Sequence, residues 1–219
     1  MPITFEKLAS PTLRGRIAEQ MREAILDGRL AEGERIVERK LASEFGASLT
    51  AVREALIELE TDGFIEKLPN STTHVIRLSE EDADKILSVR TVLEGYAIAE
   101  VAKSASEAEI EALMALVRDI LEAAERGEVG RCLQKDLAFH TALWEITGNE
   151  HLAASLRRVV LPFYTFYSLR MRRGSLNHLR ECAEAYLLVM SALHARDSKG
   201  ASKALTYALR KWMEKARSV

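Results

Sequence analysis

Hydrophobic residues recur at helical spacing along most of this chain. Leu13, Ile17, Met21, Ala24 and Ile25 make the first apolar stripe, opened by Ser10-Pro11 as cap and first helical residue and closed by Gly28. A loop over Arg29 to Arg35 follows. A short helix then begins at Val37 and ends at Phe45, Gly46 makes a tight turn, and a second helix runs from Ser48 to Asp62 before Gly63 stops it. Ser48 is a good N-cap, because its hydroxyl can accept a backbone N–H of the first turn, and Val52, Ala55, Leu56 and Leu59 then recur on one side. Two short helices joined by a Gly-containing turn read as a helix-turn-helix. Beyond Gly63 the runs Phe64 to Leu68 and Thr73 to Arg77 favour strands around Pro69-Asn70-Ser71-Thr72, which predicts a two-stranded hairpin. Residues 10–78 thus read as a winged helix-turn-helix, preceded by a flexible arm over residues 1–9.

The pattern changes at Ser79. From there to the end it predicts six amphipathic helices and no strand, over residues 79–103, 106–126, 130–147, 150–173, 176–195 and 198–217. Ser79-Glu80-Glu81-Asp82 and Ser106-Glu107-Ala108-Glu109 have the form of helix starts with reciprocal side-chain caps. Gly127, Gly148-Asn149 and Gly174-Ser175 are the breaks, and Pro162 should kink the fourth helix. The fold class is therefore mostly α: an N-terminal winged helix-turn-helix with a small β-hairpin, then a C-terminal all-α antiparallel bundle over residues 79–219.

Composition narrows the picture without changing it. A hydrophobic content of 47% over 219 residues supports packed cores. No apolar run approaches the roughly 18 residues that span a bilayer, so a cytoplasmic protein is expected. Cys132 and Cys182 lie far apart in helical patterns, as buried reduced thiols do. The net charge of −2 excludes a generally sticky polycation, and residues 1–76 hold 10 Lys and Arg against 13 Asp and Glu. Nucleic-acid binding then requires a local basic stripe rather than overall charge, and Arg39, Lys40, Arg53 and Lys67 are placed to share one face. Thr50 and Arg53 fall outward near the start of the second helix, where such a helix reaches a DNA major groove.

The pieces AILDGRLAEGERI, LASEFG, S-x-T-x-V-R-E-A-L and L-E-x-D-G-F-I make the first third of the chain resemble the DNA-binding domain of the GntR family of bacterial repressors. That resemblance implies DNA contacts from Arg39, Ser48, Leu49, Thr50, Arg53 and the wing, with Lys67, Ser71 and Thr72 as the wing positions. The chain departs from the family at Leu49, where Arg is usual, at Ala51, where Pro is usual, and at the wing tip, which lacks Arg-Gly. A bidentate Arg is the commonest reader of guanine, so the operator should differ from the common half-site.

The helical half resembles the FCD domain of the FadR subfamily, and six helices suggest its VanR-like branch. The match is carried by Arg90-x-x-x-Glu94, Asp136-Leu-Ala-Phe-His140, Gly148-Asn149 and Ala-Arg-Asp197. It implies a homodimer that recognises a small organic acid inside the bundle, often through a divalent metal such as Zn or Ni. Asp136 and His140, at i and i+4, share one helix face and can hold an ion or each other. Registering the chain on Asp197 puts Tyr186 and Ala208 where the family has its other two histidine ligands. Ala208 has no donor, and neutral tyrosine is a poor ligand. Without metal, Arg90 is the natural partner for a carboxylate, with Tyr186, Tyr164 and Tyr167 lining the same place. The expected partners are double-stranded operator DNA, a small carboxylate and a second copy of the chain, with no membrane. An acyl-thioester effector, or none, is the alternative. A metal-dependent enzyme built on Asp136 and His140 is the rival from another class, but no nucleophile, base and orienter accompany them.

Overall fold

The computed structural model describes residues 13–69, 72–171 and 176–217, without the side chains of residues 165–171, 176–177 and 215–217. The expected arm over residues 1–9, the Ser10-Pro11 start and the Gly174-Ser175 break lie outside the described residues.

Helix α1 (Leu13–Leu26) buries Ile17, Ala18, Met21, Ile25 and Leu26. It packs on α3 (Leu49–Thr61), which turns Val52, Ala55, Leu56 and Leu59 inward. Between them α2 (Glu38–Phe45) ends at Gly46, whose φ of 58° is the left-handed cap that a residue without Cβ adopts at least cost. Ser48 caps α3 as its sequence position predicts, its Oγ accepting from the Ala51 N–H at 3.2 Å. The helix-turn-helix is thus closed by local chemistry at both ends of its turn.

The wing has one more strand than expected. Strands β2 (Ile65–Lys67) and β3 (Thr73–Val75) pair antiparallel with Glu66 opposite His74, and β1 (Arg35–Ile36) adds to the other side of β3, giving the order β1-β3-β2. The segment read as a loop therefore ends in a strand. Two residues are too few for alternation to show, and β3 supplies the partner edge. His74 ties the sheet together, its Nδ1 3.0 Å from the Gly33 carbonyl and its Nε2 3.1 Å from Thr72 Oγ1.

Six helices follow: α4 (Glu80–Ser104), α5 (Glu107–Glu125), α6 (Val129–Ile146), α7 (Glu150–Met171), α8 (Leu176–His194) and α9 (Ser198–Arg217). Both predicted reciprocal caps form, Ser79 with Asp82 and Ser106 with Glu109. Helix α4 is the axis of the bundle, packed by α6, α7, α8 and α9. Helix α7 stays helical through Pro162. Cys132 and Cys182 are both buried free thiols, and burial first, then Asp136, pushes the Cys132 pKa up.

The two halves touch. Helix α1 lies against α6 and α7, and Gly63, at φ +74°, sits directly beneath Pro162 of α7. A Cβ on Gly63 would stand 2.4 Å from Pro162 Cγ, so both the backbone conformation and the close approach require glycine there.

Candidate functional site

Two places gather chemistry. The first is a groove of about 660 Å³ between α3, the start of α2 and the wing. Arg39 of α2, Arg53 of α3 and Lys67 of β2 line it, as the basic stripe requires, and Arg35 of β1 joins them. Lys40 does not line it and lies 3.8 Å from Glu44. Ser48, Leu49 and Thr50 are exposed at the start of α3, and Leu49 keeps 39% of its surface open. Thr72 is half-buried beside His74, and Ser71 lies outside the described residues.

Arg53 has a partner that its own helix does not supply. Its Nε donates to Glu38 Oε2 at 2.7 Å, across the turn from α2, where intrahelical acids were the obvious candidates. Glu38 and Arg35 are residues the sequence reading passed over. Glu38 stands 15 positions away, beyond any helical spacing, and Arg35 lay in a presumed loop. Of the acids that follow Arg53, Glu60 also lines the groove, while Glu58 lies 3.8 Å from Arg22 Nη2 and Asp62, capping α3, accepts from the same nitrogen at 2.8 Å.

The second place is sealed in the bundle. Arg90, Glu94, Asp136 and His140 are all buried, among the apolar residues of α4, α6, α7 and α8. Arg90 Nε donates to Glu94 Oε2 at 3.1 Å, and Trp144 Nε1 donates to Glu94 Oε1 at 3.0 Å. His140 Nδ1 lies 2.9 Å from the same Oε1, close enough to feel its charge but off hydrogen-bond alignment. On its other side His140 Nε2 is 2.8 Å from the Tyr186 hydroxyl. Asp136 accepts two phenols, Tyr164 at 2.5 Å on Oδ2 and Tyr186 on Oδ1. The Arg90 guanidinium rests over the rings of Tyr164 and Phe163, 5.6 and 5.8 Å from their centroids.

The charge states follow from these contacts. Burial alone would raise the Glu94 pKa, but the Arg90 charge and then His140 outweigh it and hold the group down to about 2. Burial alone would lower that of Arg90, yet Glu94, with Tyr164 and Asp136 behind it, leaves it raised. Tyr164 and Tyr186 are both pushed well up, first by burial and then by Asp136, so each keeps its proton and donates it to the carboxylate. Two nitrogens of the cluster stay without a hydrogen-bond partner among the described residues, Nη2 of Arg90 and Nδ1 of His140. A buried unpaired N–H of a charged group costs on the order of 1–3 kcal/mol or more.

The expected site residues therefore come together, with Arg90, Asp136, His140, Tyr164 and Tyr186 in one cluster. Tyr167 lies in α7, but its side chain is outside the described residues. Arg90 and Glu94 also form the plain helical pair that their spacing allows. Trp144 was missed; four residues beyond His140 on α6, its ring meets Glu94 only once α4 and α6 pack.

The divalent metal implied by the FCD resemblance does not fit these residues. Both oxygens of Asp136 already accept tyrosine hydroxyls, and the Tyr186 hydroxyl bridges Asp136 and His140. Asp136 Oδ2 and His140 Nε2 are 3.9 Å apart, and Ala208 is buried with no donor to add. Among the described residues no three His, Cys, Asp or Glu side chains gather round a point.

A winged helix-turn-helix with a basic groove beside its second helix, joined to a helical bundle with a charged interior, defines a DNA-binding transcriptional regulator. The comparisons agree. Residues 13–75 match the model of bacterial regulatory proteins of the gntR family, and residues 85–211, more than half of the chain, match the FCD domain. The chain belongs to the GntR family of transcriptional regulators, with an FCD domain as its C-terminal half; the family is one of regulators, not of enzymes.

Among its relatives, an uncharacterized HTH-type regulator of Bacillus subtilis, YdhC, is 33% identical over 144 residues, 64% of this chain and 63% of that protein. The chain thus spans just under two thirds of that relative's length. A probable D-xylose utilization operon repressor of Paenarthrobacter nicotinovorans is 27% identical over 94% of this chain and 90% of its own. The solved structure of McbR from Escherichia coli superposes with a TM-score of 0.84 at 22% identity, covering 94% of this chain and 98% of that one, and shows the same fold. No described helix is long and apolar enough to cross a membrane.

Proposed function

We propose that this chain is a cytoplasmic repressor that binds a near-palindromic operator as a homodimer and is modulated by a small organic acid held in the bundle of residues 79–219. The DNA reading rests on the groove in which Arg35, Arg39, Arg53 and Lys67 converge beside the exposed start of α3. The effector reading rests on one observation, the buried Nη2 of Arg90 without a partner, which a carboxylate oxygen would satisfy.

The packing supports a route between the two. Tyr164, which donates to Asp136, follows two residues after Pro162, and Pro162 bears on Gly63 just past the end of α3. An effector that rearranged Tyr164 would change the seat of the reading head, and by linkage effector and operator must alter each other's affinity by the same factor.

A gel-shift titration tests the DNA half. Duplexes selected from a random pool by the wild-type protein should bind the Arg53→Ala variant at least fivefold more weakly, a loss of about 1 kcal/mol or more. Unchanged binding would remove α3 from the interface. Thermal-shift screening of small carboxylates against the wild type and Arg90→Met tests the other half, and a stabilising acid that ignores the substitution would refute the Arg90 assignment.

A further inference from the structure

We infer that Glu38 is a positioning residue for operator readout, holding the Arg53 guanidinium by one edge and leaving its end free to meet DNA. The inference rests on the DNA-binding reading of α3.

Arg53 is the only cationic residue in α3, so whatever orients it orients the helix's one strong hydrogen-bonding fork. The contact is with Nε, at 2.7 Å, and among the described residues no other group engages either Nη. A guanidinium held at Nε keeps its two terminal nitrogens side by side, the pair that fits the O6 and N7 of a guanine or two phosphate oxygens. The side chain is 63% exposed while Glu38 is 32% exposed, so the carboxylate is the inner, better anchored member and Arg53 the outer one. Glu38 is itself fixed in the first turn of α2, where a negative charge is favoured.

The sign of its effect distinguishes this role from a bland one. A carboxylate on a DNA-binding face repels phosphate, so by charge alone its removal strengthens binding to every sequence. As a positioning residue its removal frees a rotamer-rich side chain that must then be ordered on binding, so operator affinity falls. A simple strut between α2 and α3 would lower folding stability and weaken the selected and the scrambled duplex alike.

The experiment is a double-mutant cycle on the full chain. Glu38→Ala, Glu38→Gln, Arg53→Ala and Glu38→Ala/Arg53→Ala are titrated against a duplex selected by the wild type and a scrambled duplex of equal length, at fixed salt. Glu38→Ala should weaken the selected duplex about 2- to 10-fold and leave the scrambled one equal or tighter. Glu38→Gln, which keeps an oxygen for Nε, should restore most of the discrimination. In the Arg53→Ala background the Glu38 substitution should cost nothing more. Unchanged or improved discrimination in Glu38→Ala, or the same loss with Arg53 already gone, overturns the proposal. If Arg53→Ala itself leaves operator binding intact, the placement of α3 is what fails.

Discussion

Replacing Glu94 by Gln should destabilise the bundle far more than its single changed atom suggests. Glu94 is fully buried and Arg90 is 2% exposed, and their 3.1 Å contact is the counter-charge that lets a guanidinium stay in the interior. Gln has the same shape and one oxygen for Trp144, but it presents no charge to Arg90. Removing one member of a buried pair costs about 3–5 kcal/mol, because the other charge is left uncompensated. The depressed pKa points to the same size: held down to about 2 from 4.5, the Glu94 ionisation is coupled to folding by on the order of 3 kcal/mol. For a chain of this length that lowers Tm by about 6–20 °C. Urea unfolding followed by tryptophan fluorescence is the assay, since both tryptophans, Trp144 and Trp212, lie in the bundle and report nothing else. Because the folded pKa is depressed, this contribution is complete above about pH 4.5 and is lost as pH falls through about 2. The gap between wild type and Glu94→Gln should therefore be flat near neutrality and close in acid. Arg90→Met/Glu94→Gln, which removes both charges and keeps an oxygen for Trp144 Nε1, should recover most of the loss. A loss under about 1 kcal/mol for Glu94→Gln, or an equal loss in the double variant, would refute the reasoning.

Other outcomes follow from single contacts. Gly46→Ala should cost about 1 kcal/mol, the left-handed backbone alone, since nothing lies within 4 Å of its Cβ, whereas Gly63→Ala should cost about 1–3 kcal/mol more through Pro162. Adding Pro162→Ala should recover the steric part of the Gly63 loss and not the backbone part; calorimetry of the four variants separates the two. Leu49→Arg should add a guanine preference, worth about 1–3 kcal/mol, at one position of the operator selected from random duplexes, and an unaltered selected sequence would mean that residue 49 faces no base. Installing Tyr186→His with Ala208→His beside Asp136 and His140 should create a zinc-dependent rise in Tm that the wild type lacks, about 2.7 kcal/mol of stabilisation at a hundredfold excess over Kd. Equal zinc response in both proteins would overturn the reading of Tyr186 as a bridging donor.

Much of the architecture can be read along the chain because its determinants are local. Ser48, Ser79 and Ser106 bond groups three residues away, Gly46 needs only its own backbone freedom, and the apolar stripes of α1 and α3 repeat every three or four positions. The spacing of Asp136 and His140 placed them together for the same reason, as did the step from Arg90 to Glu94. The resemblance to known regulators added the roles, and with them the positions Tyr186 and Ala208 where a metal site is broken.

What the chain could not announce are pairings made by packing alone. Strand β1 is two residues long and exists because β3 offers it an edge. Arg53 meets Glu38 only after Gly46 folds α2 against α3, and Trp144 meets Glu94 across 50 residues. Tyr186 reaches Asp136 across another 50, turning a would-be ligand position into a hydrogen-bond donor. Helical periodicity says which face is buried but not which neighbour it finds. The sequence by itself determined the helices, their caps and the helix-turn-helix, since each is decided within about one turn of chain. The partners of Arg53, Glu94 and Asp136, and the seating of Gly63 under Pro162, were decided by the tertiary structure, because they join elements whose approach depends on the whole core.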